Sequence, residues 1–188
     1  MNIEVQRAFL SSENIGFHLD YLRNMRLKYS IYKKSIPALE GKTLRQLSRM
    51  LDRCDDKHDI ISLACCIKSH ELFFSSFSDN SAKCPEIREW YSSESAFLYE
   101  VYQKALGQRG FIYITRVERR SPEIVLGSDE KVPQLVAPPL LAIDLCEHAY
   151  FLDYHFDREA YIRALLTHLD LRMLFRSENA EIYLDTTI

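Results

Sequence analysis

Between Ser12 and Ser35 the apolar positions Ile15, Leu22, Met25 and Tyr29 recur at helical spacing, with Asp20, Arg23, Lys28 and Lys33 between them. A stripe of this period predicts one long amphipathic helix, interrupted at Pro37. Leu39 to Leu51 offers a second, shorter pattern. Asp55 and Asp56 are good caps for a further helix that carries Ile60, Leu63, Ile67, Phe74 and Phe77 on one stripe. The polar run SFSDNSAKCP, from Ser76 to Pro85, then reads as a linker, and Pro85 suits the first turn of a new helix running to Gly107. The domain boundary is expected in that linker, with 1–82 as an N-terminal helical-hairpin domain and 83–188 as a C-terminal domain.

After Gly107 the period changes. FIYITRV (Phe111 to Val117), EIVL (Glu123 to Leu126) and LLAIDL (Leu140 to Leu145) are short β-branched or aromatic runs between turn-prone residues, the pattern of a small three-stranded antiparallel sheet. Asp157 then caps a helix expected to continue through Phe175, with Tyr161, Leu165, Leu169 and then Leu171 or Arg172 along it. The C-terminal part therefore reads as helix, three strands, helix, and the chain as α+β. No internal repeat is apparent.

Composition narrows the class without naming a chemistry. At 188 residues, 47% hydrophobic and 27% charged, the chain can bury one good core or two small adjoining ones. A net charge of -3 gives no general attraction to nucleic acid or an acidic membrane. No apolar run approaches the ~18 residues of a spanning helix. The start, MNIEVQRAFLSSEN, has an acidic residue early and only a short apolar run, without the basic start and long apolar centre of a secretory signal, so a cytoplasmic protein is expected. Cys54, Cys65, Cys66, Cys84 and Cys146 make an odd number with no C-x-x-C pair, which argues against a disulfide framework or a zinc ribbon; all five are expected to stay as thiols.

Candidate chemistry lies with the histidines. His70 falls in the stripe Leu63, Ile67, His70, Phe74, Phe77, and His18 in the stripe Ile15, His18, Leu22, Met25, Tyr29, so both side chains should face the core. A single histidine on an apolar face is more often a hydrogen-bonded core residue than a metal ligand. Two of them are joined by DLCEHAYFLDY, Asp144 to Tyr154, which sets an aspartate four residues ahead of His148 at the end of the last strand. Four such groups buried without a common partner would be costly, and carboxylate and imidazole donors suit iron, manganese or zinc.

The segment PLLAIDLCEHAYFLDY, with Arg158 and Tyr161 beyond it, resembles the C-terminal signature of iron/manganese superoxide dismutases, where D-x-W-E-H-A-Y-Y follows a P-L-L run. LSSENIGFH, Leu10 to His18, resembles the segment of that family's first metal ligand, and SHELFF, Ser69 to Phe74, that of its second. The resemblance implies the family's fold and the ligand set His18, His70, Asp144 and His148. It also implies one iron or manganese ion per subunit, and a one-electron redox reaction converting superoxide to oxygen and hydrogen peroxide. Glu147 matches the family glutamate that reaches across a homodimer to the partner's ligand histidine, and Tyr150 matches the first signature tyrosine.

Other positions depart from the family. Counted without gaps from His18, the family's second histidine becomes Leu22 and its gateway tyrosine Arg26. The glutamine of iron-type members becomes Cys66, and that of manganese-type members would lie near Gly127, Ser128 and Asp129, where there is none. The signature tryptophan becomes Cys146, the second signature tyrosine Phe151, and the tryptophan beyond the second ligand Phe74. In the family the groups replaced by Leu22 and Phe151 bond to each other across the dimer, so the joint loss orphans neither.

Arg26 and Cys66 therefore stand as candidate catalytic replacements. Glu147, Cys146, Phe151 and Tyr150 are candidates for the surroundings of the metal and for the dimer contact. Both thiols also fit as small apolar fillers, and Arg23, Arg26, Lys28, Lys33 and Lys34 as a solvated face that steers anions. The expected function is a weak dismutase. The alternatives are a silent dismutase-fold protein with a structural, metal-holding or interaction role, and a divergent metal or thiol peroxidase or redox sensor.

Overall fold

A computed structural model describes residues 3–50, 57–79, 84–128, 137–175, 183 and 185–188. The caps expected at Asp55 and Asp56, Cys54, Asp129 and the boundary at 82/83 lie outside the described residues. A short helix α1 (Ile3–Gln6) leads to α2 (Ser12–Ser35), the long helix that the periodicity predicts. The Ser11 side chain caps it by accepting from the Asn14 N–H at 3.1 Å. Asn14, Ile15, His18, Leu22 and Tyr29 form its buried stripe. Pro37 opens a 3-10 turn (Pro37–Leu39), and Gly41, at φ 65°, turns the chain into α3 (Leu44–Met50), which is shorter than the pattern from Leu39 suggests. Helix α4 (Lys57–Ser75) buries Ile60, Ala64, Ile67, His70 and Phe74 against α2.

The single helix expected from Pro85 to Gly107 is two elements, a 3-10 turn (Pro85–Glu89) and α5 (Glu94–Leu106). Ser93 supplies the true N-cap by accepting from the Ala96 N–H, and the chain bends just ahead of it. Strands β1 (Phe111–Thr115), β2 (Glu123–Gly127) and β3 (Pro139–Asp144) form the expected antiparallel sheet in the order β2-β1-β3. Phe111 pairs with Gly127 on one side and Asp144 on the other. Both β1 and β3 are buried along their length, which explains why they read as continuous apolar runs.

The sequence pattern missed α6 (Glu147–Tyr154), which ends at His155 with φ 49°. Helix α7 (Arg158–Leu166), capped by Asp157 as expected, stops well short of Phe175. It stops because the backbone of residues 168–170 turns to pair with residues 76–78: Ser78 N–H donates to the His168 carbonyl and Asp170 N–H to the Ser76 carbonyl, each at 2.9 Å. A 3-10 turn, Leu171–Phe175, follows and packs on β3. The buried apolar residues, from Val5 to Tyr183, make one continuous cluster drawn from both parts of the chain. Among the described residues no helix is long and apolar enough to cross a membrane.

Helix α2 packs against both α4 and α6. The second contact is fixed by polar groups. The fully buried Asn14 donates its amide to the Ala149 carbonyl and accepts from the Leu152 N–H at 3.2 Å, while the Ser11 N–H donates to Asp153 at 2.7 Å. Asn14→Ala deletes two of these bonds inside the protein and is expected to cost about 2 kcal/mol. Denaturant unfolding at constant metal content reads this directly, and a change below about 0.5 kcal/mol would show the clamp to be dispensable.

Candidate metal centre

Four elements each bring one polar side chain to the same point. His18 comes from the buried stripe of α2 and His70 from that of α4; Asp144 is the last residue of β3, and His148 lies in the first turn of α6. Asp144 is oriented locally. Its Oδ1 accepts from the Cys146 N–H at 2.8 Å, which turns Oδ2 toward the three histidines. The Nε2 atoms of His148, His18 and His70 lie 3.0, 3.1 and 3.4 Å from that one oxygen. One ligand-capable atom from each of the four residues lies within 4.8 Å of the others. The side chains of His18, His70 and Asp144 are fully buried, and His148 alone reaches solvent, at 14%.

Among the described residues, hydrogen bonds satisfy part of this cluster, such as His148 Nε2 to Asp144 at 3.0 Å, but not the whole of it. His70 donates Nδ1–H to the Cys66 carbonyl at 2.7 Å, which leaves a lone pair on its Nε2 when neutral. That lone pair faces the Nε2 of His148 at 3.0 Å. Neither ring nitrogen of the buried His18 makes a well-directed hydrogen bond to a described residue, although its Nε2 sits beside Asp144. Such orphaned buried nitrogens are costly, and three imidazole nitrogens aimed at one carboxylate oxygen are what a cation between them would satisfy. The donor set of three imidazoles and one carboxylate suits iron or manganese. The residues therefore fit a single metal ion.

The electrostatics agree. Burial alone would push the Asp144 carboxyl up, but the three histidines outweigh it and hold it well below the ordinary carboxylate range. Burial lowers His18 to about 4 against the pull of Asp144. Burial works the same way on His70, yet its bonds to Asp144 and Cys66 win and carry it up to about 10. With protein groups alone, then, the surrounding histidines compensate the buried carboxylate. A bound cation takes over that role.

Aromatic rings enclose the cluster. Phe73 and Phe74 lie 5.1 and 4.9 Å from the His18 ring, centroid to centroid, and Phe111 of β1 meets the His70 ring edge-on at 5.2 Å. Tyr161 donates its hydroxyl to the Asp144 carbonyl at 2.8 Å from beneath and stacks on Tyr150. The sequence reading did not single out Tyr21. Its ring lies flat on that of His148, 4.0 Å away and inclined by 14°, and within 5.3 Å of His70. The available signal was its spacing, three residues after His18 on the same helix face.

The other residues named from the sequence divide into near and far. Cys66 is buried with Sγ 3.7 Å from Nδ1 of His70. Cys146, also buried, precedes the first turn of α6, and its N–H orients Asp144. Leu22 is an ordinary core residue. Arg26 is turned to the surface, where it pairs with Glu71 at 2.8 Å. Glu147 is half-exposed and pairs with Arg109 at 2.9 Å. Phe151 is 38% exposed and packs edge-on against Phe156, itself 93% exposed. Gly127 ends β2, and the Ser128 carbonyl accepts from the Tyr113 hydroxyl at 3.2 Å.

Fold and centre together define an α+β protein built round a buried site of three histidines and one aspartate, of a kind suited to a mononuclear redox metal. Residues 80–175 match the family model of iron/manganese superoxide dismutases, C-terminal domain. The chain belongs to the iron/manganese superoxide dismutase family. It is 30% identical over 114 residues to superoxide dismutase [Fe] 3, chloroplastic, of Arabidopsis thaliana, an alignment covering 55% of this chain and 43% of the relative. It is 28% identical over 111 residues to superoxide dismutase [Mn/Fe] of Rickettsia typhi, covering 55% and 53%. These matches span about half the length of each relative. A third, superoxide dismutase [Fe] of Pseudoalteromonas translucida, is 26% identical over 174 residues, covering 86% of both chains. Asp144 and His148 fall inside the span matched by the family model, and His18 and His70 outside it.

Proposed function

We propose that this protein holds one iron or manganese ion through His18, His70, Asp144 and His148 and dismutates superoxide weakly. The observation that carries the reading is the convergence of three imidazole nitrogens on one Asp144 oxygen, in a setting where hydrogen bonds among the described residues leave His18 unsatisfied. The ion supplies one-electron redox chemistry when bound. The chain supplies the rest: the Cys66 carbonyl fixes the His70 tautomer, the Cys146 N–H fixes Asp144, and Phe73, Phe74 and Phe111 keep water off the buried faces. Weak turnover is supported by what surrounds the centre. Where iron-type relatives carry a glutamine amide this chain has the Cys66 thiol, and where a histidine would stand it has buried Leu22. Charge steering is modest, because Arg23 is paired with Asp20 and Arg26 with Glu71.

A homodimer draws support from the exposed apolar residues Phe151, Leu152 and Phe156, which lie on or just beyond α6, the helix that begins with Glu147. A cytoplasmic location fits Cys65, Cys66, Cys84 and Cys146, all buried and none in a disulfide.

Elemental analysis of protein purified from iron- or manganese-supplemented cells is expected to find about one ion per chain, the number one four-ligand site binds. Protein that contains neither metal and takes up neither would overturn the reading. Metal retention with no superoxide consumption after loading with each ion would instead identify a metal-holding, non-catalytic protein.

A further inference from the structure

Between α2 and α4 runs an open groove of about 670 Å³, lined among others by Tyr21, Met25, Tyr32, Leu63 and Cys66. Two of these residues connect it to the metal centre. Cys66 touches His70, and the Tyr21 ring lies flat on His148, the one member of the four-residue set with solvent exposure. The other three are held from several sides: His18 by the rings of Phe73 and Phe74, His70 by the Cys66 carbonyl and Phe111, and Asp144 by the Cys146 N–H. The His148 ring also meets His18 edge-on at 5.1 Å and lies alongside His70 at 5.3 Å, and the Tyr21 ring, 4.0 Å away, is the nearest and most nearly parallel of the three. A face 4.0 Å away and inclined by 14° leaves no space for a molecule between the two rings.

We propose that Tyr21 is a positioning residue, one that holds the His148 ring in its ligating plane and shuts the α2–α4 groove off from the metal. The inference rests on the metal-binding reading given above. It assigns the work to the ring, not the hydroxyl, because the ring makes the stacking contact. A groove of this volume is large enough for an organic molecule or a chelator, whereas superoxide and similar small anions need far less space. Tyr21 therefore decides which class of molecule reaches the ion.

Release of metal from the loaded protein to EDTA, followed at several EDTA concentrations, tests both parts without any activity assay. Wild type and Tyr21→Phe are expected to release metal slowly, at rates within about twofold of each other and independent of EDTA concentration, because dissociation is limited by the protein. Tyr21→Ala is expected to release it about tenfold faster or more, the low end of what loss of a ligand-orienting partner does to metal affinity, and at a rate that rises with EDTA concentration. Should Tyr21→Ala not fold, Tyr21→Leu, which keeps the apolar bulk but no flat face, takes its place with the same expectation. Equal rates for wild type and the ring-less variant would overturn the proposal while leaving the metal site intact. So would a Tyr21→Phe variant that releases metal as fast as the ring-less one. A wild type that binds no metal would bring down this inference and the functional reading together.

Discussion

Asp144→Asn is expected to lose the metal while keeping the fold. Asparagine preserves the shape, and its carbonyl oxygen can still accept from the Cys146 N–H. The negative charge shared by His18, His70 and His148 disappears, however, and three neutral imidazoles then face an ion whose charge nothing offsets. Changing groups that only support a metal ligand lowers affinity about 10–100-fold, so loss of the one anionic ligand should exceed about 100-fold. If the wild type is saturated at about 100 times its dissociation constant, binding contributes about 2.7 kcal/mol of stability, or roughly 5–10 °C in melting temperature for a chain of this size. Elemental analysis and melting curves with and without added metal check both. Once both proteins are stripped by a chelator the difference should largely close, because the substitution also removes the buried charge that the three histidines must otherwise compensate. A variant that retains a full complement of metal, or a wild type whose melting temperature ignores metal, would show that Asp144 is not a ligand.

The amphipathic helices were legible because burial on one face leaves a period that no other element shares; α2 spans Ser12–Ser35, the stretch in which its stripe was read. Strands β1 and β3 were legible for the opposite reason, continuous burial over a short span. Helix α6 was not, because little in its eight residues fixes its shape. Its conformation is imposed from outside, by Asn14 of α2 on its backbone at Ala149 and Leu152 and by Asp144 on the N–H just ahead of it. The ends of α5 and α7 were misjudged because a local cap at Ser93 and a distant backbone pairing at residues 168–170 override propensity.

The centre shows the same division. That His18 and His70 face inward follows from their stripes; that they face each other follows only from how α2 packs on α4. Arg26, reached by counting eight residues from His18, lies about 12 Å along the helix axis, whereas Tyr21 lies about 4.5 Å along it on a neighbouring position of the same face. Counting along a relative's pattern finds positions. It does not find a ring that lies against the site from a different turn of the helix.

Cys66→Gln is expected to raise dismutase activity in a protein whose own turnover is at least about tenfold below that of typical family members. The wild-type deficit is estimated from one missing hydrogen bond in the transition state, about 1.4 kcal/mol, which is about tenfold in rate. Position 66 is one helical turn ahead of His70, and its side chain already touches that ring at 3.7 Å. It also lines the α2–α4 groove, which leaves space on that side for the longer glutamine. An amide there places a donor and an acceptor beside the centre where the thiol offers only a weak donor. Cys66→Ala, which removes the thiol and adds nothing, should not raise activity. That control separates a gained hydrogen bond from simple relief of an oxidisable group. Turnover is compared per bound metal, with metal content measured on each sample. Cys66→Gln that holds its metal but turns over no faster than wild type, or a wild type with full family-level turnover, would show that the missing amide is not what limits this centre.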